Sequence, residues 1–205
     1  MRSIRHFFEQ SWLLIAASFF FGLLIAITNA ALSPKIEQNR NSKLNELAGG
    51  LLPDATAFTP IAETIEIQAL DGKQQRLVVY RATTGDRTAG WVFQVVGSGF
   101  ADKIELVVAV DAAFATIAGF DVLASNETPG FGDQIKYSYY RDQFKGAPTD
   151  GLTLVKGGDP TTIDAQIVAI TGATVSSTAV VRAMDHYLPQ IKTQLQQKGL
   201  IGHGN

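Results

Sequence analysis

From Trp12 to Leu32 the chain runs for 21 residues without a single charge. Most are large and apolar, among them Leu13, Leu14, Ile15, Phe19, Phe20, Phe21, Leu23, Leu24, Ile25 and Ile27. As a helix, such a run spans roughly 30 Å of hydrocarbon. Trp12 then sits at one interface. So many Phe and Leu on every side do not suit a helix buried in a soluble core. A cleaved signal peptide would carry a shorter apolar region, of about 7–15 residues, although Asn29-Ala30-Ala31 offers small residues at its end. The length favours a retained anchor. Arg2 and Arg5 precede it and Lys35, Arg40 and Lys43 come after it, so charge does not fix its orientation.

The remainder of the chain, beyond the anchor, is long enough for one domain. The net charge of −2 offers no basic field for a nucleic acid. With no cysteine, disulfides, thiol catalysis and Cys-ligated iron–sulfur clusters are excluded. His6, His186 and His203 are scattered without metal-ligand spacing, and His186 reads as a surface or helix-end residue. There is no Walker A pattern, and Gly97-Ser98-Gly99 lacks the third glycine of a dinucleotide fingerprint.

Ser33-Pro34 is expected to stop the membrane span, and Lys35 to Leu47 to form a weak helix or stalk. Gly49-Gly50 and Pro53 punctuate it. The next half is β-rich. Thr64 to Leu70 and Arg76 to Ala82 flank Asp71-Gly72, a hairpin signature. Gly90 to Val96, Lys103 to Val110 and Phe114 to Val122 are further β-branched and aromatic runs of strand length, with short turns that favour an antiparallel meander. Trp91 and Phe93 alternate with Val92 and Gln94, which puts one face of that strand in the core and makes Trp91 a packing residue. Tyr137 to Phe144 reads as a short helix near the surface, Leu152 to Lys156 and Ile163 to Ile170 as strands, and Val175 to Tyr187 as an amphipathic helix that Pro189 kinks or ends. Beyond it lies a polar, Gln-rich tail, frayed from Gly199 to Asn205.

Two stretches carry chemistry. Thr171-Gly172-Ala173-Thr174 lies at a strand-to-helix turn. A helix start has free N–H groups and partial positive charge, which suit a phosphate. Gly172 and Ala173 leave room for a ligand to approach the backbone. On local chemistry alone, Thr174 or Ser176 is equally readable as a helix N-cap. Upstream, Asn126-Glu127-Thr128-Pro129-Gly130-Phe131-Gly132-Asp133 is turn-rich, with Pro129-Gly130 suited to a type II turn. By itself it is a tight connector.

Together these stretches resemble a known family. Thr171 to Ser177 is similar to the Ser/Thr-Gly-Ala-Thr flavinylation signature of the G subunit of the Rnf electron-transport complex and the C subunit of the sodium-pumping NADH:quinone oxidoreductase. Glu127 to Gly132 resembles the Glu-Thr-Pro-Gly-Leu-Gly loop of the same flavoproteins, with Phe131 for Leu. Gly97-Ser98-Gly99-Phe100 is similar to a glycine-rich turn they carry. The resemblance implies FMN joined through its phosphate to Thr174, with Thr171, Gly172, Ala173 and Val175 around the attachment. It implies that the loop lines the flavin, so that Glu127, Thr128 and Gly130 contact it; a negative charge at Glu127 would in turn lower the reduction potential of the flavin. Lys156 either pairs with the flavin or is a solvated strand end. One position departs: the family often carries Asp six residues before the attachment Thr, a feature associated with the flavin transferase, and here it is Val168.

The expected fold is α+β, one transmembrane helix followed by a mainly antiparallel sheet with packed helices. The expected divisions are a tail at 1–11, the span at 12–32, a linker at 33–60, the FMN-binding domain at 61–190 and the polar tail at 191–205. The resemblance implies an electron carrier of a membrane complex coupling ferredoxin:NAD⁺ electron transfer to Na⁺ or H⁺ movement. Its partners would be the other Rnf-type subunits and a flavin transferase. The domain would lie on the periplasmic side of the cytoplasmic membrane. Alternatives are a component like the C subunit of the quinone reductase, a freestanding anchored carrier, or a scaffold without cofactor.

Overall fold

The computed structural model describes residues 2–202, with side chains from Ser11 onward. Two compact units divide between Lys43 and Leu44. The expected tail at 1–11 falls almost entirely outside the described side chains, as do residues 203–205 of the expected frayed end.

Helix α1 (Arg2–Leu51) supplies the first unit. By length and composition, residues 11–51 contain a stretch that can cross a membrane, none of it buried by protein. Trp12, Phe19, Phe20, Phe21 and Ile25 are all exposed, as lipid-facing side chains must be. The helix runs on through Ser33-Pro34, where the membrane span is expected to stop, into the polar stretch read as a weak helix or stalk. Proline removes one N–H from the ladder, the one that would reach the Ala30 carbonyl, and the neighbouring Ser33 hydroxyl adds a bond of its own to the Asn29 carbonyl at 2.7 Å.

The second unit is built on a five-stranded antiparallel sheet. Its spatial order is β1 (Ala57–Pro60), β4 (Val79–Thr84), β5 (Arg87–Ser98), β6 (Lys103–Asp111) and β7 (Ile117–Ser125). The hairpin expected around Asp71-Gly72 forms as a separate ribbon, β2 (Ile65–Gln68) with β3 (Gln74–Leu77), and the chain then enters the main sheet at β4. A short parallel pair, β8 (Thr153–Val155) and β9 (Gln166–Val168), completes the strands.

Alternation along β5 sets both sides of the sheet. Trp91, Phe93 and Val95 enter the main core beneath helix α3 (Thr174–Gln197), while Val92 points the other way. That second face is also buried. Leu44 and Ala48, from the end of α1, cover Val92, Val107, Ala109 and Leu123. Residues 44–60, expected as linker, therefore belong to the folded unit: the end of α1 packs on the sheet and β1 is one of its strands. Trp91 is a core residue as expected, with its ring N–H donating to the Ala112 carbonyl at 3.1 Å.

Two other expectations fail for packing reasons. The helix expected near the surface at 137–144 is a single turn, α2 (Ser138–Arg141), between 3-10 turns. Tyr140 and Phe144 are fully buried, edge-to-face with Phe120. Burial pushes the Tyr140 phenol far above its ordinary pKa, and its O–H donates to the Ser177 carbonyl at 3.2 Å.

Pro189 does not end α3, and 191–197 is not a polar tail. Ile191 and Leu195 are fully buried. At about 1.5–3 kcal/mol each, they offset the roughly 3 kcal/mol cost of an internal proline. Gln190 and Gln194, one turn apart, lie along the free edge of β2. Gln190 accepts from the Gln68 N–H at 2.8 Å, and Gln194 accepts from the Glu66 N–H at 3.2 Å. Their amide nitrogens donate back to the Gln68 and Glu66 carbonyls, so two side chains replace a missing strand. His186, on the same helix, contacts the Gln68 carbonyl at 2.7 Å.

Candidate functional site

A cleft of about 410 Å³ opens at the start of α3, lined by Phe100, Glu127, Thr128, Phe131, Gly132 and residues 172–176. Two tight turns form opposite walls. Thr128 to Phe131 closes with the Phe131 N–H on the Thr128 carbonyl at 3.1 Å, and Gly130 takes φ +77°. Ile170 to Ala173 closes with the Ala173 N–H on the Ile170 carbonyl at 3.0 Å, and Gly172 takes φ +83°. Both are the left-handed values a type II turn needs at its third residue. A side chain at Gly172 would start 3.7 Å from the Phe131 ring, so the turns face each other closely.

The floor is the first turn of α3. Ala173 is its N-cap residue, with no side chain capping it. Neither Thr174 nor Ser176 is a cap. Ser177 instead secures the turn behind the helix, accepting from the Ile170 N–H at 3.1 Å and donating to the Ala173 carbonyl at 3.0 Å. The helical ladder starts with the Ser177 N–H on the Ala173 carbonyl. The amides of residues 174–176 precede it at the positive end of the helix dipole. Thr174 is exposed at this floor.

Glu127 lines the cleft but is turned into the protein, only 5% exposed. Oε1 accepts from the Ala101 N–H at 2.9 Å, and Oε2 accepts from the Ser176 hydroxyl. Burial by itself would raise this carboxyl. The Ser176 hydroxyl and the N–H groups of Ala101, Phe100 and Asp102 outweigh it and hold the group below the ordinary carboxylate range. Glu127 is thus a charged brace in the cleft wall, tying two other segments together through its two oxygens.

The other expected residues divide. Thr128, Gly172, Ala173, Thr174 and Val175 all line the cleft. Gly130 and Thr171 shape the two turns without lining it. Lys156 is exposed and does not line the cleft, because β8 ends at Val155, paired with Val168 six residues short of Thr174. Val168 has both backbone groups held by the buried Gln143 amide, its N–H at 2.8 Å and its carbonyl at 3.3 Å. Sequence reasoning does not mark Ser176, Phe100 or Phe131 as site residues. Phe100 and Phe131 are 73% and 58% exposed, and large aromatics at glycine turns are the available signal.

An uncapped helix start that suits a phosphate, an exposed hydroxyl beside it and apolar walls that suit a flat ring are features a flavin mononucleotide domain needs, and the residues present fit that group. Residues 99–188 match the FMN-binding domain family. The G subunit of the proton-translocating ferredoxin:NAD(+) oxidoreductase complex of Clostridium ljungdahlii is 31% identical, over 85% of this chain and 86% of that protein. The G subunit of the Na(+)-translocating ferredoxin:NAD(+) oxidoreductase complex of Acetobacterium woodii is 30% identical, over 84% of this chain and 86% of that one. The crystal structure of Shewanella oneidensis NqrC shares the fold, with a TM-score of 0.56 at 24% identity over 71% of this chain and 73% of that one. The chain belongs to the family of G subunits of Rnf-type ion-translocating oxidoreductase complexes.

Proposed function

We propose that this chain is the FMN-carrying, electron-transferring G subunit of an Rnf-type complex, with the flavin joined through its phosphate to Thr174 Oγ. The observation that carries the attachment is the placement of an exposed Thr174 on the floor of the cleft, at a helix start no side chain caps. A phosphodiester there keeps about one negative charge against the helix dipole. When bound, FMN supplies the electron-transfer chemistry.

The chain's own residues bind and orient. The first-turn amides of α3 would hold the phosphate, and Phe100, Phe131 and Val175, which line the cleft, would give the ring apolar contact. The bond to Thr174 retains the cofactor, so the ring can lie open to redox partners. The anchor in α1 ties the carrier to the membrane, with the domain on the extracytoplasmic side, and the complex couples its electron flow to ion movement. The partners are the remaining subunits and the flavin transferase that modifies Thr174.

In-gel flavin fluorescence of the denatured protein, taken from a host that makes the complex, tests this. A fluorescent band that disappears in Thr174→Val is expected. A dark wild-type band would overturn the covalent reading.

A further inference from the structure

We infer that Ser176 is a positioning residue of the flavin site: through its hydrogen bond to Glu127 it fixes the first turn of α3 against the glycine loop and so sets where the Thr174 hydroxyl stands. The inference rests on the proposed attachment at Thr174 and adds how that hydroxyl is presented.

Three segments meet at one carboxylate. The turn after β5 reaches it through the Ala101 N–H, the loop after β7 carries it, and α3 reaches it through the Ser176 hydroxyl. The fit leaves no spare room. A Cβ at Gly99 would land on the Glu127 carboxylate, and one at Gly132 would lie 2.6 Å from both Glu127 Oε2 and Ser176 Oγ. Both glycines therefore admit the brace, at positions where sequence alone suggests only flexible turns.

The adjacent serines have separate tasks. Ser177 bonds backward, to the Ile170–Ala173 turn and its own helix. Ser176 is also buried, 2% exposed, yet its hydroxyl bonds forward to the loop after β7. Helical geometry puts Ser176 two residues beyond Thr174, so the two side chains leave the first turn in different directions. One can be held in the protein while the other stays open. Without the Ser176 bond, the loop and the helix start are joined only through the remaining packing. A small displacement of a reacting hydroxyl costs far more rate than stability.

The test uses the full-length chain in membranes, with Ser176→Ala and Ser176→Thr. Covalent flavin per chain is read on denaturing gels, and ring immobilisation by visible circular dichroism of the folded protein. Ser176→Ala should slow attachment by roughly tenfold or more and weaken the visible signal of whatever flavin is attached. Ser176→Thr, which keeps the hydroxyl, should restore both. Hydrogen exchange on flavin-free protein supplies a readout independent of the cofactor: Ser176→Ala should speed exchange at the bonded Ala101 and Ser177 amides together. Wild-type attachment, visible signal and exchange in Ser176→Ala would overturn the inference. A dark wild-type band would overturn the covalent attachment instead, and exchange would still decide whether Ser176 holds the segments together.

Discussion

The Ser176 hydroxyl donates to Glu127 Oε2 across 49 positions of sequence, and that bond ties the helix start to the loop opposite. Because Glu127 is held below the ordinary carboxylate range, it binds fewer protons in the folded chain than in the unfolded one. Its stabilisation is complete above the unfolded value of about 4.3 and is lost as pH falls through the lower folded value. Glu127→Gln should cost about 1.5–3 kcal/mol near neutrality, with the difference closing in acid. Asp71, Asp102 and Asp159 are also depressed, so the difference between the two melting curves, rather than the wild-type curve alone, isolates Glu127. The same variant removes a negative charge beside the cleft and should raise the reduction potential of the bound flavin in spectroelectrochemistry. An unchanged or lower potential would detach Glu127 from redox tuning.

Gly132 and Gly130 are two residues apart but constrained differently. A Cβ at Gly132 meets Glu127 and Ser176, so Gly132→Ala should cost about 1–3 kcal/mol by overpacking and reduce covalent flavin. At Gly130 there is open space but φ is +77°. Gly130→Ala should cost roughly 1 kcal/mol from the backbone alone and leave attachment near wild type. Thermal melting with gel fluorescence separates the two.

Gln190 and Gln194 complete the edge of β2 from the far half of α3. Replacing both with Ala should cost about 0.5–1.5 kcal/mol per lost bond and raise hydrogen exchange at the Glu66 and Gln68 amides. Unchanged protection at those amides would show that solvent serves the edge equally well.

The end of α1 covers the second face of the sheet. A soluble fragment beginning near residue 40 should stay dispersed. One beginning after Pro53 loses Leu44, Ala48 and Leu51 and exposes Val92, Val107 and Ala109, a contiguous apolar patch that promotes association. Size-exclusion chromatography of the two fragments reads the difference.

Strand content and the two motif turns were legible because their signals are local. Val and Ile runs mark β5 to β7, and a glycine in each motif supplies the positive φ its turn requires. Long-range packing was not legible. Pro34 reads as the end of the membrane span and Pro189 as a kink or stop, and a helix continues through each; around Pro189 the buried Ile191 and Leu195 outweigh its local cost. Tyr140 and Phe144 looked superficial because the fold itself supplies their partner, Phe120. At the site, the place of Thr174 at a strand-to-helix turn was readable from the local pattern. The Ser176 bond was not, since its partner is a carboxylate far away in sequence, and the two donors that hold Glu127 likewise lie on other segments.

Peptide mass spectrometry of the chain isolated from its membrane complex tests the covalent attachment most directly. The peptide containing Thr174 is expected to carry the mass of FMN less one water, with fragmentation placing it on Thr174 rather than Thr171, Ser176 or Ser177. An unmodified Thr174, or the flavin on a neighbouring hydroxyl, would contradict it.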